Sequence, residues 1–180
     1  MAAIVKSVSR SNEHTFTKSN ETTISLVAGL GVRGDAHLGE TVKHRSHIRK
    51  FGHIPNLRQV HLIHEELFKE LHDGGFNVQP GSLGENVTTR GIDLLALPTR
   101  SRLRLGAEAV IEITGLRNPC RQIEAFQTGL LQAVLGHDAN GNLIRKTGVM
   151  AVVITSGEVR VGDGIAITLP EGEQRPLKTA

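Results

Sequence analysis

The chain has 180 residues, of which 20 are glycine and one is cysteine, with a formal net charge of +3. This length suits a single domain that buries about 70% of its unfolded surface, and one cysteine excludes an intramolecular disulfide framework and favours a reducing compartment. Residues 1–6 lack the apolar stretch of a signal peptide, and no apolar run approaches the roughly 20 residues of a membrane span. We therefore expect a cytoplasmic protein with no membrane partner.

The first predicted strands are residues 4–8 and 22–27, where β-branched residues alternate. A glycine-rich loop follows at 29–39 and formally contains G-x-G-x-x-G. A dinucleotide site is excluded, because no helical pattern follows the glycines and no acidic residue lies between Glu40 and Glu65. The loop carries Arg33, Asp35 and His37, so its backbone N–H groups either approach an anion or form an ordinary wide turn.

Lys, Arg and His dominate positions 43–50, which contain no acidic residue. This run is interpreted either as a solvated surface or as a rim that attracts an anion. The mild overall charge and the absence of Tyr and Trp argue against nucleic acid as a partner. A strand at 59–63 and a helix at 64–71 follow, the helix with Leu67, Phe68 and Leu71 at helical spacing.

Residues 80–94 form a predicted turn, strand and turn with unusually dense polar side chains. Within one short strand they offer a carboxylate, an amide, two hydroxyls and a guanidinium. These groups either fix a polar heterocycle or belong to a polar edge strand. The side chains concerned are Glu85, Asn86, Thr88, Thr89 and Arg90.

Short strands with glycine turns dominate the rest of the chain. Arg100, Arg102 and Arg104 alternate toward solvent, residues 109–114 form an apolar strand, 148–154 a fully buried strand and 157–165 a hairpin. The pattern predicts a mainly β fold, a closed or partly closed β-barrel with one or two packed α-helices. We expect one domain over 1–170 and a polar tail over 171–180.

The only cysteine lies in the segment 115–123, between an apolar strand and an apolar-periodic segment that predicts a helix to about residue 135. Asn118 is the predicted N-cap and Pro119 the first helical residue, so Cys120 falls in the first turn. The helix dipole and the flanking Arg117 and Arg121 favour a thiolate, which is both a nucleophile and a metal ligand. The alternative is a small, inert, buried cysteine.

Four segments in this order resemble the MOSC domain, the domain named for the molybdenum-cofactor sulfurase C-terminus, in its stand-alone bacterial form. They are GVRGD at 31–35, PGSLGENVTTRGID at 80–93, RNPC at 117–120, and GVMAVV at 148–153 with a final GDGI at 162–165. The likeness spans about residues 5–167 and includes no pyridoxal-phosphate domain.

The resemblance implies that Cys120 either carries a sulfane sulfur, as a persulfide, toward the molybdenum cofactor or ligates molybdenum directly. It implies cofactor contacts from two polar segments. To these we add Arg117 and Arg121, beside the cysteine, as our own candidates for binding the cofactor phosphate. The predicted cofactor-binding residues are Arg33, Gly34, Asp35, Gly84, Glu85, Asn86, Thr88, Thr89, Arg90, Arg117, Asn118 and Arg121.

The implied partners are a cysteine desulfurase as sulfur donor or an electron-donor protein, with a small-molecule substrate in the second case. Some stand-alone members resemble amidoxime-reducing enzymes, which reduce N-hydroxylated compounds. This chain has no flavin motif and too few cysteines for an iron–sulfur cluster, so electrons would come from outside. Two alternatives stay open: a non-catalytic anion- or cofactor-binding module, and a thiol redox sensor.

Overall fold

The computed structural model describes residues 2–41 and 55–180. These ranges contain thirteen strands and three helices, so the predicted mainly β class is confirmed. The strands are β1 Ile4–Arg10, β2 Ser19–Glu21, β3 Thr23–Val27, β4 Gly31–Val32, β5 Val60–His64, β6 Val87–Arg90, β7 Arg102–Leu105, β8 Ala109–Leu116, β9 Leu135–His137, β10 Leu143–Arg145, β11 Val149–Thr155, β12 Gly157–Arg160 and β13 Ile165–Thr168. The helices are α1 Glu65–Asp73, α2 Arg121–Phe126 and α3 Leu130–Ala133.

Eight strands form the main sheet, in the order β13-β7-β8-β11-β5-β6-β1-β2. Strands β12, β3 and β4 form a second sheet, and β9 pairs with β10 in a third. All pairs are antiparallel except β5 with β6, which are joined through α1. A parallel pair needs such a crossover, because its second strand must begin at the same end as the first.

No sheet among the described residues closes into a barrel, so the prediction of a closed barrel is wrong. Strands β13 and β2 end the order of the main sheet without pairing to each other. A single antiparallel bridge joins Ile4 of β1 to Gly164, next to β13. The backbone N–H of Ile165 also donates to the Ala3 carbonyl at 2.9 Å. The N–H of Val5 donates to the Asp163 carbonyl at 2.8 Å, and the N–H of Gly162 donates to the Val5 carbonyl at 2.8 Å. The start of β1 is therefore bound to the segment 162–165 that leads into β13.

Two apolar clusters pack on this framework, and β5 contributes to both. Leu62 lies in the larger cluster, which also holds Val5, Val87 and Ile111. Ile63 points to the opposite face and packs with the apolar side of α1, as alternation along a strand requires. The predicted core residues of that helix, Leu67, Phe68 and Leu71, are all buried there.

Three predictions about elements are wrong. The segment 157–165 is not a hairpin, because β12 pairs with β3 and β13 pairs with β7. The strand at 148–154 is not fully buried, since Ile154 is 40% exposed beyond the edge of the cluster. The polar strand at 87–90 is not an edge strand, because β6 lies between β5 and β1.

Three further predictions concern the arginines at 100–104, the basic run at 43–50 and membrane-spanning segments. Arg102 and Arg104 share the exposed face of β7, as predicted, whereas Arg100 precedes the strand with a φ of 72°. The basic run 43–50 lies outside the described residues. No helix in the described part of the chain is long and apolar enough to cross a membrane.

Candidate functional site

Cys120 lies at the start of α2, but as its N-cap residue rather than inside the first turn. Its backbone is extended (φ −123°, ψ 168°), and the helix begins at Arg121. The predicted N-cap, Asn118, is wrong because its side-chain Oδ1 accepts a hydrogen bond from Arg145 Nε at 3.0 Å instead of capping the helix. Residues before proline favour extended backbone, which delays the helix start further.

The thiol of Cys120 is partly exposed and contacts two side chains. Arg117 Nη2 donates to Sγ at 3.7 Å, and Sγ donates to Gln122 Oε1 at 3.5 Å. Helix α2 has only six residues and supplies a short dipole, so the guanidinium of Arg117 is the main positive group in contact with this sulfur. Cys120 is therefore not fully buried, and its reactivity stays a prediction.

Arg117 is held by the neighbouring segment 147–148. Its backbone N–H donates to the Gly148 carbonyl at 3.0 Å, and its carbonyl accepts the Thr147 hydroxyl at 3.0 Å. Its own Nη1 donates to the Asn118 carbonyl at 2.7 Å. These bonds fix both the backbone and the side chain of Arg117 beside Cys120.

His61 supports the same segment from the interior. Its Nε2 lies 2.8 Å from the Thr147 carbonyl, which only accepts, so Nε2 carries the hydrogen. Burial, followed by the nearby positive charges of Arg117 and Lys18, lowers the pKa of His61 to about 3. The imidazole is therefore neutral at physiological pH and acts as a fixed donor.

Arg58 is a second guanidinium close to Arg117. We call Cys120, Arg117 and Arg58 together the Cys120 rim. Burial and the positive charge of Arg117 lower its pKa. Its Nη2 donates to the carbonyl of Ala180. Two guanidiniums close enough to repel each other attract anions, so Arg58 and Arg117 together make the rim beside Cys120 cationic.

Asp35, on the earlier polar loop, is buried in a charged network. Its Oδ2 lies 2.6 Å from Lys18 Nζ, and its Oδ1 lies 3.1 Å from His37 Nδ1. Burial opposes ionisation of Asp35, but the hydrogen bond from His37 and the Lys18 charge outweigh it and lower the pKa. Burial also lowers the pKa of Lys18, against the attraction of Asp35. We treat both as charged, because a carboxylate at 2.6 Å stabilises the ammonium directly.

Asn86 joins the two predicted polar segments. Its Nδ2 donates to Asp35 Oδ2 at 3.0 Å, and its Oδ1 accepts the backbone N–H of His61 at 3.2 Å. A continuous series of contacts therefore runs from Asp35 through Asn86, His61 and Thr147 to Arg117. Buried intermediate residues thus connect the two polar segments to the segment that holds Cys120.

Glu85 and Thr88 serve the fold of their own turn. The Glu85 carboxylate accepts the backbone N–H of Leu83 at 3.2 Å and the Thr88 hydroxyl at 3.3 Å. Burial raises the pKa of Glu85 despite these hydrogen bonds. Gly84 has a φ of +83°, and a Cβ there would lie 2.7 Å from the Phe16 carbonyl. The polar groups of this stretch are thus used inside the protein.

The remaining predicted site residues have different surroundings. Thr89 is buried with a hydroxyl that has no partner among the described residues. Arg90 pairs with Glu65 beside an open groove of about 650 Å³ along α1. Arg33 and Gly34 are exposed, and the Arg33 carbonyl accepts a hydrogen bond from Arg10 at 3.3 Å. Arg121 is exposed at the first position of α2.

The structure adds residues that the sequence did not single out: Arg58, Thr147, Gln122 and Arg145, together with a supporting role for His61. No local sequence pattern pointed to these contacts. No cluster of three or more His, Cys, Asp or Glu residues suited to a metal ion occurs in residues 2–41 and 55–180.

The fold and the site together define a mainly β protein with one partly exposed cysteine on a cationic rim. The family model of the MOSC domain matches residues 43–166, so the chain belongs to the MOSC domain family. No curated protein sequence matches the chain.

Solved structures agree with this fold. The YuaD protein from Bacillus subtilis is 24% identical, with a TM-score of 0.76, over 95% of this chain and 98% of that one. YiiM from Geobacillus stearothermophilus is 16% identical (TM-score 0.66, covering 92% and 75%). YiiM from Escherichia coli is 17% identical (TM-score 0.62, covering 97% and 73%). At these identities the likeness concerns the fold alone.

Proposed function

We propose that this MOSC protein handles sulfur at Cys120, either as a persulfide carrier or as a molybdenum ligand. One observation carries the proposal: the thiol is partly exposed, and its Sγ lies 3.7 Å from Arg117 Nη2. A guanidinium at this position stabilises a thiolate, and it equally stabilises the negative charge of a persulfide. The thiolate is the nucleophilic form of cysteine and a soft metal ligand.

In the carrier role, the Cys120 thiolate attacks the outer sulfur of a persulfide on a cysteine desulfurase. A new S–S bond forms on Cys120, the donor's S–S bond breaks, and the donor cysteine leaves as a thiolate. The exchange needs no external oxidant or reductant. Arg117 holds the negative charge before and after the transfer.

In the second role, the molybdenum cofactor would bind at the Cys120 rim rather than along residues 84–90, the segment that the family resemblance implies. Cys120 would supply a sulfur ligand, and Arg58 and Arg117 would bind the cofactor phosphate. The carboxylate of Glu85 and the amide of Asn86 are occupied by internal hydrogen bonds, so they are not free to line a pocket. When bound, the cofactor would supply a redox-active metal for reduction of an N-hydroxylated substrate.

Such a reduction consumes two electrons and two protons and releases the amine and water. Because the sequence has one cysteine and no flavin motif, both electrons would come from a partner protein. The chain's own part would be to bind the anionic group at Arg58 and Arg117 and to hold the sulfur in place.

The test is intact mass spectrometry after incubation with a cysteine desulfurase and cysteine. We expect the protein to gain one sulfur atom and Cys120→Ser to gain none. Metal analysis of the same two proteins, purified from a cofactor-competent host, checks the second role: about one molybdenum per chain, lost in Cys120→Ser. A protein that takes up neither sulfur nor molybdenum would contradict the proposal and favour a plain anion-binding module.

A further inference from the structure

The segment 175–180 is docked along the end of strand β8, the strand that leads to Cys120. The backbone N–H of Leu116 donates to the Lys178 carbonyl at 2.7 Å, and the N–H of Ala180 donates to the Leu116 carbonyl at 3.0 Å. Thr179 forms a parallel bridge with Leu116. The segment thus adds a short strand beside the last residue of β8, and we call residues 175–180 the strap.

Two further contacts anchor the beginning of the strap. The backbone N–H of Thr99 donates to the Arg175 carbonyl at 2.9 Å, and its hydroxyl donates to the Pro176 carbonyl at 3.3 Å. The side chain of Leu177 packs against the larger apolar cluster. The predicted polar tail is therefore a bound segment in this structure.

Gly115 makes the close approach of the strap possible. A Cβ at this position would lie 2.4 Å from the Lys178 carbonyl oxygen and 3.0 Å from Ala180. Real Cβ atoms do not approach a backbone oxygen so closely, so any side chain at position 115 would displace the strap.

The strap reaches the cationic rim at its far end. The carbonyl of Ala180 accepts a hydrogen bond from Arg58, the guanidinium whose pKa is lowered by burial and by Arg117. A carbonyl oxygen carries partial negative charge and occupies the place where an oxygen of an anionic ligand would bind. Arg117, three residues before Cys120, is the other guanidinium of this rim.

We infer that the strap is an autoinhibitory element: it occupies Arg58 and must be displaced before an anionic group binds beside Cys120. The inference rests on the proposed function, since it concerns the anion site of that same rim. Binding to a partly blocked site weakens the apparent affinity by the fraction of molecules that are open. Removing the strap should therefore tighten anion binding without touching any residue of the rim.

The experiment measures the binding of inorganic phosphate to the full chain by calorimetry at low ionic strength. Deletion of residues 177–180 should lower the dissociation constant about tenfold, the factor expected when a bound strap leaves roughly a tenth of the sites open. Gly115→Ala should act in the same direction in a chain of full length, because its Cβ displaces the strap by steric conflict.

Two controls separate this effect from general loosening. Gly164→Ala introduces the same methyl group where nothing lies within 4 Å, and it should leave phosphate affinity unchanged within twofold. In an Arg58→Gln background, deletion of 177–180 should change the affinity by less than twofold, because the shared partner is gone. Equal phosphate affinity in the parent, the deletion and Gly115→Ala would overturn the inference, as would a deletion effect that persists with Arg58→Gln.

The sulfur assay on Cys120 distinguishes the two proposals. Sulfur uptake together with phosphate binding that does not depend on the strap would refute the autoinhibitory role of the strap and leave the proposed function standing. Strap-dependent phosphate binding without sulfur or molybdenum on Cys120 would refute the function and retain the strap as the regulator of a plain anion site.

Discussion

At the scale of single residues, the surroundings of Cys120 are set by Arg117. Arg117 is fixed by the Gly148 carbonyl and the Thr147 hydroxyl, and Thr147 is fixed in turn by the neutral imidazole of His61. Thr147 and Gly148 belong to the loop between β10 and β11, and His61 belongs to β5. The reactivity of the sulfur therefore depends on groups that do not touch it.

Arg117→Gln should slow the reaction of Cys120 with iodoacetamide at pH 7 by about tenfold, since two unit charges at this distance interact by about 1 kcal/mol in bulk water and by more near a protein surface. The alkylation rate of Arg117→Lys should lie between those of the parent protein and Arg117→Gln, because the ammonium keeps the charge but not the planar geometry. The rates are measured by quantifying free thiol against time.

Arg102→Gln serves as the control for net charge, because Arg102 is exposed on β7 and paired with Glu112 at 2.9 Å. Its alkylation rate should match that of the parent protein. If Arg117→Gln reacted as fast as the parent, the guanidinium would have no role at the sulfur.

The sequence predicts Cys120 and Arg117 because they lie within four positions of each other and their chemistry can be derived locally. It does not predict Arg58 or Thr147, since their approach depends on pairings between strands far apart in the chain. The expected role of Asn118 as a helix cap fails for the same reason: a distant residue, Arg145, takes its side-chain oxygen.

At the scale of elements, the loop with Asp35 and the turn with Asn86 are joined by a buried ion pair and amide. The side chains of Lys18 and Asp35 are only 5% and 2% exposed. The ion pair joins Lys18 to the Asp35 loop, and the Asn86 amide joins that loop to the turn. A buried charge without its partner is costly, so loss of either member of the ion pair should destabilise this network.

Asp35→Asn should lower the free energy of unfolding by about 3–5 kcal/mol, because it leaves the Lys18 ammonium buried without a counter-charge. The double variant Asp35→Asn with Lys18→Met should recover part of that loss. Urea unfolding at pH 7 measures both, and an unchanged midpoint for Asp35→Asn would contradict the charged pair.

The same pair gives a pH dependence of stability with a defined sign. The pKa of Asp35 is lower in the folded protein than in the unfolded chain, where it is about 4. Its contribution is therefore fully present above about pH 4 and is lost as the pH falls further. The free energy of unfolding of Asp35→Asn should therefore fall less below pH 4 than that of the parent protein.

Helices and strands were predicted well where a local pattern decides, as for α1 with its three buried apolar residues. The helix predicted to residue 135 instead ends at Phe126, and a second short helix begins after Gly129, whose φ is +83°. Glu124 accepts the backbone N–H of Gly129 at 2.9 Å and stabilises this break. Periodicity of apolar residues alone cannot reveal such a turn.

At the scale of the whole molecule, β5 joins the two apolar clusters, with Leu62 in one and Ile63 in the other. Both side chains are fully buried. Because adjacent residues of one central strand serve both clusters, neither cluster can lose its packing without disturbing the other. The single domain expected from chain length stays a prediction.

Leu62→Ala and Ile63→Ala should each lower the free energy of unfolding by about 2–5 kcal/mol, the usual cost of such core truncations. Each variant should shift one common transition, followed by circular dichroism in urea. Two separate transitions, one for each variant, would show that the clusters unfold independently.

Composition and strand spacing suffice to predict the mainly β class, but not the order of strands in the sheet. The predicted hairpin at 157–165 shows why. Strands β12 and β13 are neighbours in sequence, yet β12 pairs with β3 and β13 pairs with β7. Pairing partners are chosen by burial across the whole sheet, which local patterns do not contain.

The bridge between Ile4 and Gly164 also bears on synthesis of the protein. A ribosome that adds about 5–20 residues per second needs roughly 8–32 s to make the intervening chain. During that time β6 can pair with one edge of β1. The first half of the other edge of β1 has no partner until the segment around Gly164 is made. This edge is where a nascent chain would be most exposed to mispairing, and where a ribosome-associated chaperone would have most to protect.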